Sequence, residues 1–108
     1  MPLTDGQRAQ FSQLVRSHPV VLFMKGDRRA PACGFSATVV GILEALSAGY
    51  ETVNILEEPQ VREGMKEFSS WPTFPQLYVN GEFVGGCDIM REMFQSGELQ
   101  QLLAPQKV

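Results

Sequence analysis

Apolar positions recur along the chain with two periods, and the switches between them divide it into elements. Thr4 or Asp5 can cap a first helix whose Phe11, Leu14 and Val15 share one face, and Pro19 ends it. Val20-Val21-Leu22-Phe23-Met24 is an unbroken run rich in strand formers, the pattern of a buried central strand. Lys25-Gly26 closes that strand, and Asp27 to Ala32 form a polar loop containing Pro31. From Cys33 to about Ser47 the period turns helical, with Phe35, Val39, Ile42, Leu43 and Leu46 as the apolar face and Gly49 as the stop. Tyr50 to Ile55 alternates as a second strand, with Tyr50, Thr52 and Asn54 on one face. Strand, helix and strand in this length predict a parallel pair with a right-handed crossover.

Pro59 suits the first turn of a third helix, Pro59 to Ser69, that buries Val61, Met65 and Phe68. Leu77-Tyr78-Val79 and Glu82-Phe83-Val84 flank Asn80-Gly81, a strong hairpin signal. A last helical region starts near Asp88, turns Ile89, Met93 and Phe94 inward, and carries its pattern past Gly97 to Leu99, Leu102 and Leu103. The tail from about residue 104 to 108 reads as frayed. The order α-β-α-β-α-β-β-α predicts one α/β domain over residues 1–108. Its core is a four-stranded mixed sheet flanked by helices.

The bulk numbers narrow the functions open to this fold. With 108 residues, 44% hydrophobic and 19% charged, the chain is an ordinary single globular domain. A net charge of −3 argues against a nucleic-acid footprint. No apolar run approaches the roughly 20 residues a membrane helix needs, and the first residues lack the basic-then-apolar order of a secretory signal. The two cysteines, Cys33 and Cys87, are too few for a disulfide scaffold and too far apart for a zinc knuckle. The single histidine, His18, precedes Pro19 and reads as a solvated helix-end residue, which removes most zinc sites and most Cys–His hydrolase sites. A reducing compartment fits this cysteine usage, either cytoplasmic or a reducing organelle.

The chemistry concentrates at Cys33. It lies between a strand and a helix start, where unpaired N–H groups and the helix dipole favour an anion, so the thiolate gains over the thiol. Lys25, Arg28 and Arg29 lie just upstream and add positive potential. Gly34-Phe35-Ser36 then completes Cys-x-x-Ser. A second thiol at the last position would attack a mixed disulfide on Cys33; Ser36 cannot, which leaves one-thiol chemistry and thiolate ligation. Ser36 is expected to bond helix backbone or to donate to the Cys33 sulfur, the structural role being the stronger expectation. Cys87 sits at another helix start; a disulfide with Cys33 requires Cα atoms within about 7 Å, and the alternative is a packed thiol.

Four segments in order carry a resemblance: Met24-Lys25-Gly26; Pro31-Ala32-Cys33-Gly34-Phe35-Ser36; Trp71-Pro72-Thr73-Phe74-Pro75-Gln76-Leu77-Tyr78-Val79-Asn80-Gly81; and Gly85-Gly86-Cys87-Asp88. From about Leu14 to Leu103 the chain resembles the monothiol glutaredoxins of the Cys-Gly-Phe-Ser class. It departs from them at Asp27-Arg28-Arg29-Ala30, where the family commonly has Thr-Pro after Lys-Gly. The resemblance implies a thioredoxin-like fold, a cis Phe74–Pro75 bond and a glutathione site formed by Lys25, Cys33, Phe35, Arg62, Thr73, Phe74, Pro75, Gly86, Cys87 and Asp88. In that site the Phe74 backbone pairs with the tripeptide, Lys25 and Arg62 meet its carboxylates, and Asp88 accepts from its amino group or merely caps a helix. Trp71 is expected to pack rather than to bind.

The resemblance also implies a [2Fe–2S] cluster held by Cys33 from each of two protomers and by two glutathione thiols. The holo form is then a homodimer and the apo form a monomer. Its partners are iron–sulfur acceptor apoproteins and BolA-like proteins, with no nucleic acid and no membrane. The competing reading is a glutathione-dependent thiol–disulfide oxidoreductase acting on protein–glutathione mixed disulfides through Cys33.

Overall fold

Thr4 starts the first helix with a reciprocal cap: its hydroxyl accepts from the Gln7 N–H at 3.1 Å, and the Gln7 side chain accepts from the Thr4 N–H at 2.9 Å. The computed structural model describes residues 2–104. In it α1 (Asp5–Val15) leads into β1 (Val20–Met24), α2 (Gly34–Ala45), β2 (Glu51–Asn54), α3 (Pro59–Ser69), β3 (Gln76–Val79), β4 (Glu82–Gly85), α4 (Cys87–Ser96) and α5 (Glu98–Leu103). The expected frayed tail, residues 105–108, lies outside the described residues.

The sheet runs β2-β1-β3-β4. β1 pairs in parallel with β2 and antiparallel with β3, and β3 pairs antiparallel with β4, the mixed arrangement read from the strand-helix-strand unit and the Asn80-Gly81 hairpin. Asn80 and Gly81 both take positive φ, 52° and 82°, as that turn requires. β1 is fully buried because it is central and both faces are covered. Val20, Leu22 and Met24 enter the core shared with α2, α4 and α5; Val21 and Phe23 enter the core shared with α1 and α3. Each such side chain contributes about 1.5–3 kcal/mol.

The pattern misplaced several details. The Cys33-to-Ser47 helix begins one residue later: Cys33 is its N-cap, not a helical residue. The helix stops before Gly49. Ser47 takes the left-handed position, φ 53°, and the N–H groups of Ser47 and Ala48 return to the carbonyls of Glu44 and Leu43. Phe35, assigned to the apolar face, is 63% exposed: it sits in the first turn of α2 and lines an open cleft instead of the core. The last helix does not run through Gly97. That residue adopts φ 87° and splits it into α4 and α5. Met90 is the fully buried residue of α4, while Ile89, Met93 and Phe94 are half-buried and Leu102 is exposed. His18 is half-buried rather than solvated, and its Nδ1 accepts from the Val20 N–H at 3.3 Å.

Candidate functional site

The end of β1 and the start of α2 meet at Cys33. Its Sγ accepts from the Ser36 N–H at 3.4 Å, and the Ser36 hydroxyl lies at the same distance. Ser36 is wholly buried, and its oxygen also accepts from the Lys25 N–H at 3.1 Å. With that lone pair engaged, the hydroxyl hydrogen is free to point at sulfur. Ser36 thus joins strand end to helix start and donates to the thiolate, rather than bonding helix backbone. Partial burial pushes the Cys33 thiol up, but the Ser36 hydroxyl, the N–H groups of Ser36 and Phe35 and the charge of Lys25 outweigh it and hold the thiol below its ordinary value. Arg28, grouped with Lys25 from sequence, does not act on the sulfur. Its guanidinium lies over the Tyr50 ring, 4.2 Å from the centroid.

Beside Cys33 opens a cleft of about 510 Å³. Lys25, Phe35, Arg62, Thr73, Phe74, Pro75, Gly86, Cys87 and Asp88 all line it, so nine of the ten residues assigned to the site from sequence are brought to one cavity. Cys33 is not among the lining residues; it adjoins the cleft through Phe35 and Lys25. Both cysteines are free thiols, Cys33 half-exposed and Cys87 buried.

The floor is the loop before β3. The Phe74–Pro75 bond is cis. The Phe74 backbone N–H and carbonyl have no hydrogen-bond partner among the described residues. Gln76, wholly buried, holds this loop: its Nε2 donates to the carbonyls of Trp71 and Thr73, both at 3.1 Å. Sequence reasoning missed this role, although a glutamine opening an otherwise apolar strand was the available signal. Trp71 is set by the end of α3, where its N–H reaches the Lys66 carbonyl and the Ser69 hydroxyl. Its ring packs on Phe83, centroids 5.7 Å apart, and it also lines the cleft, so packing and lining are one placement. Lys66, Pro72 and Ile89 are further lining residues that the sequence did not single out.

The walls favour an anion. Lys25, Arg62 and Lys66 face Asp88 as the one acidic lining residue. Arg62 Nε and Trp71 Nε1 are buried donors with no partner among the described residues. Gly86 is the N-cap of α4 and offers no side-chain cap, so the first-turn N–H groups of that helix are not taken by a capping side chain. Asp88 therefore does not cap α4; it lies in the first turn, exposed, 3.9 Å from Arg91. Among the described residues no three His, Cys, Asp or Glu side chains gather as a metal site, and no helix is long and apolar enough to cross a membrane.

A cysteine capping a helix, serine three residues on, and a cis-proline loop lining the adjoining cleft define a one-thiol motif on a thioredoxin-like fold. The glutaredoxin family model matches residues 20–84. The chain is 57% identical over 89 residues to "Probable monothiol glutaredoxin 2" of Rickettsia conorii, covering 82% of this chain and 83% of that protein. It is 58% identical over 99 residues to the chloroplastic monothiol glutaredoxin-S14 of Arabidopsis thaliana, covering 92% of this chain but 57% of the longer relative. The fold matches that of reduced poplar apo GrxS14 with a TM-score of 0.78 at 56% identity, over 92% of this chain and 91% of that one. It also matches a buckwheat glutaredoxin–glutathione complex with a TM-score of 0.81 at 25% identity, over 98% and 100% of the two chains. The chain belongs to the glutaredoxin family, in its monothiol class.

Proposed function

We propose that this protein binds a [2Fe–2S] cluster as cargo through Cys33 and glutathione, and hands it to acceptor apoproteins. The observation that carries this reading is the Cys33 environment: a thiolate-favouring, half-exposed sulfur that, among the described residues, has the buried hydroxyl of Ser36 as its side-chain hydrogen-bond partner. Such a sulfur suits metal ligation, and Ser36 at the last position of the motif offers no thiol to resolve it.

Glutathione fits the cleft on three observations: its cations, the orphaned Arg62 Nε, and the free backbone of Phe74. Lys25 and Arg62 would hold the peptide's carboxylates. Phe74 would pair with its backbone, and the start of α4 at Gly86, Cys87 and Asp88 would receive its γ-glutamyl end, with Thr73, Phe35 and Pro75 shaping the walls. Bound there, glutathione supplies a second thiolate. A [2Fe–2S] cluster takes four ligands, so one Cys33 and one glutathione per chain account for it only in a homodimer. The apo chain is then a monomer, and BolA-like proteins are candidate partners for the face around Cys33. A cytoplasmic or organellar reducing compartment would keep the thiols available.

The thiolate character of Cys33 also favours a second activity at this site. Cys33 attacks a protein–glutathione disulfide, the protein leaves as thiolate, and Cys33 is left disulfide-bonded to glutathione. A second glutathione thiolate then displaces Cys33 and forms glutathione disulfide.

The test is anaerobic reconstitution with iron, sulfide and glutathione, followed by a visible spectrum. Wild type should develop cluster absorbance and Cys33→Ser should not. A wild-type chain that stays colourless would refute the carrier reading.

A further inference from the structure

A second hollow, of about 1150 Å³, runs between the start of α1 and the length of α3. Its floor exists because Gly64 has no side chain. A Cβ there would stand 2.3 Å from the tip of the Phe11 ring, so α3 settles against that ring and both residues are buried. Leu3 and Val61, both half-buried, extend the apolar floor. The rim is different. Gln10 of α1 and Gln60 of α3 line the groove, both are exposed, and neither side chain has a hydrogen-bond partner among the described residues. A carboxamide both donates and accepts, as a peptide group does. An apolar floor flanked by free amides is the chemistry of a site for extended polypeptide. From Gln60 to Ser70 α3 lines it for about 15 Å, room for about four or five residues of extended chain.

This groove continues the cleft beside Cys33. Lys66, Trp71 and Pro72 line both hollows, and the exposed Pro72 is a lip between them. The sign of the charge changes across that lip. The cleft sets Lys25, Arg62 and Lys66 against Asp88. The groove sets Glu63 and Glu67 against Lys66, and Lys66 already lies 3.4 Å from Glu63. Glu67 is left as an exposed carboxylate with no side-chain partner among the described residues. An occupant reaching from one hollow into the other therefore matches the surface when it is anionic at the cleft end and cationic at the groove end. Glutathione, anionic and only a tripeptide, meets the first half of that requirement.

We propose that the groove between α1 and α3 is a docking site for the polypeptide of a client protein: an extended segment flanking the client's cysteine and bearing a lysine or arginine. The segment leaves the cleft over Pro72 and lies along α3. Gln10 and Gln60 bond its backbone, the floor of Leu3, Phe11 and Val61 takes its apolar side chains, and Glu63 and Glu67 take its cation. Glutathione in the cleft is blind to client sequence, and the groove supplies the selection. The inference rests on reading Cys33 as working on client proteins, but its test measures binding alone and needs neither cluster nor turnover.

The full chain is used with Cys33→Ser and Cys87→Ser, so that no exchange consumes the probes. These are short fluorescent peptides whose central cysteine is disulfide-linked to glutathione, flanked on both sides by lysines or by glutamates, and S-methylglutathione as the small probe. At low ionic strength the lysine peptide should bind about fivefold tighter than the glutamate peptide, because exposed charge pairs each contribute modestly. Glu63→Gln with Glu67→Gln should abolish that preference and leave S-methylglutathione binding unchanged. Gln10→Ala with Gln60→Ala should weaken both peptides and spare S-methylglutathione. All four positions are exposed, so the fold is kept. Glu82→Gln with Glu92→Gln removes the same charge from exposed positions that line neither hollow and should change nothing. Equal affinity for the two peptides would overturn the proposal, and so would a preference lost equally in the Glu82 and Glu92 pair. A peptide-free dimer in sedimentation that Gln10→Ala with Gln60→Ala dissolves would give the groove to a second copy of the chain and overturn it too. Failure of S-methylglutathione to bind would refute the glutathione reading. A lysine peptide that still binds through Glu63 and Glu67 would then sustain the groove, and one that does not would overturn it.

Discussion

Ser36 Oγ lies 3.4 Å from Cys33 Sγ while its oxygen receives the Lys25 N–H at 3.1 Å. The serine is thus a donor aimed at the thiolate by the end of the neighbouring strand, in the position where a dithiol protein carries its second sulfur. One substitution removes the resolving nucleophile and keeps the stabilisation of the first.

Ser36→Ala should raise the Cys33 thiol toward its ordinary value and slow alkylation at neutral pH, since the lost hydroxyl favours the thiolate. It also strands the Lys25 N–H, at a cost of about 1–3 kcal/mol in urea unfolding. The folded thiol sits below its unfolded value. Wild type should therefore gain stability over Cys33→Ser as pH rises through the folded value, with the gain complete above the unfolded one and lost as pH falls. Alkylation profiles and melts across pH check both; superimposable wild-type and Ser36→Ala profiles would contradict the assignment.

Lys25→Glu and Arg62→Glu each place negative charge in the cleft where the carboxylates of glutathione are expected. Calorimetry should find affinity reduced at least tenfold in either variant, since each loses a charge-assisted contact and gains a repulsion. Unchanged affinity in both would remove them from the site.

Gly64 marks where α3 approaches α1: a Cβ there would stand 2.3 Å from the tip of the Phe11 ring. Gly64→Ala should destabilise the chain by about 1–3 kcal/mol through overpacking. In a Phe11→Ala background the cost should shrink, because the clash is gone. Additive effects in urea unfolding would exclude that contact as the cause.

Most of the fold was legible because the hydrophobic period changes where the structure changes, as at Met24, Cys33 and Asn80. Errors arose where tertiary geometry overrides period. Phe35 has helical spacing, but in the first turn of α2 it lines the cleft and stays exposed. Gly97 sits inside a continuing pattern, yet its left-handed conformation ends the helix. At the site, residue types named the thiolate and its cations. The partners that orient them were hidden, since Gln76, Tyr50 and the Lys25 N–H act across 5, 22 and 11 positions of sequence. A cation's destination cannot be read from its position: Lys25 acts on Cys33, whereas Arg28, three residues later, lies over the Tyr50 ring.

Native mass spectrometry of the anaerobically reconstituted protein tests the carrier reading most directly. It predicts one assembly, two chains with two glutathiones and one [2Fe–2S] cluster, which disappears together with the dimer when glutathione is removed or Cys33 is changed to serine and which survives Cys87→Ser. A cluster-bearing monomer, or a cluster retained in Cys33→Ser, would contradict it.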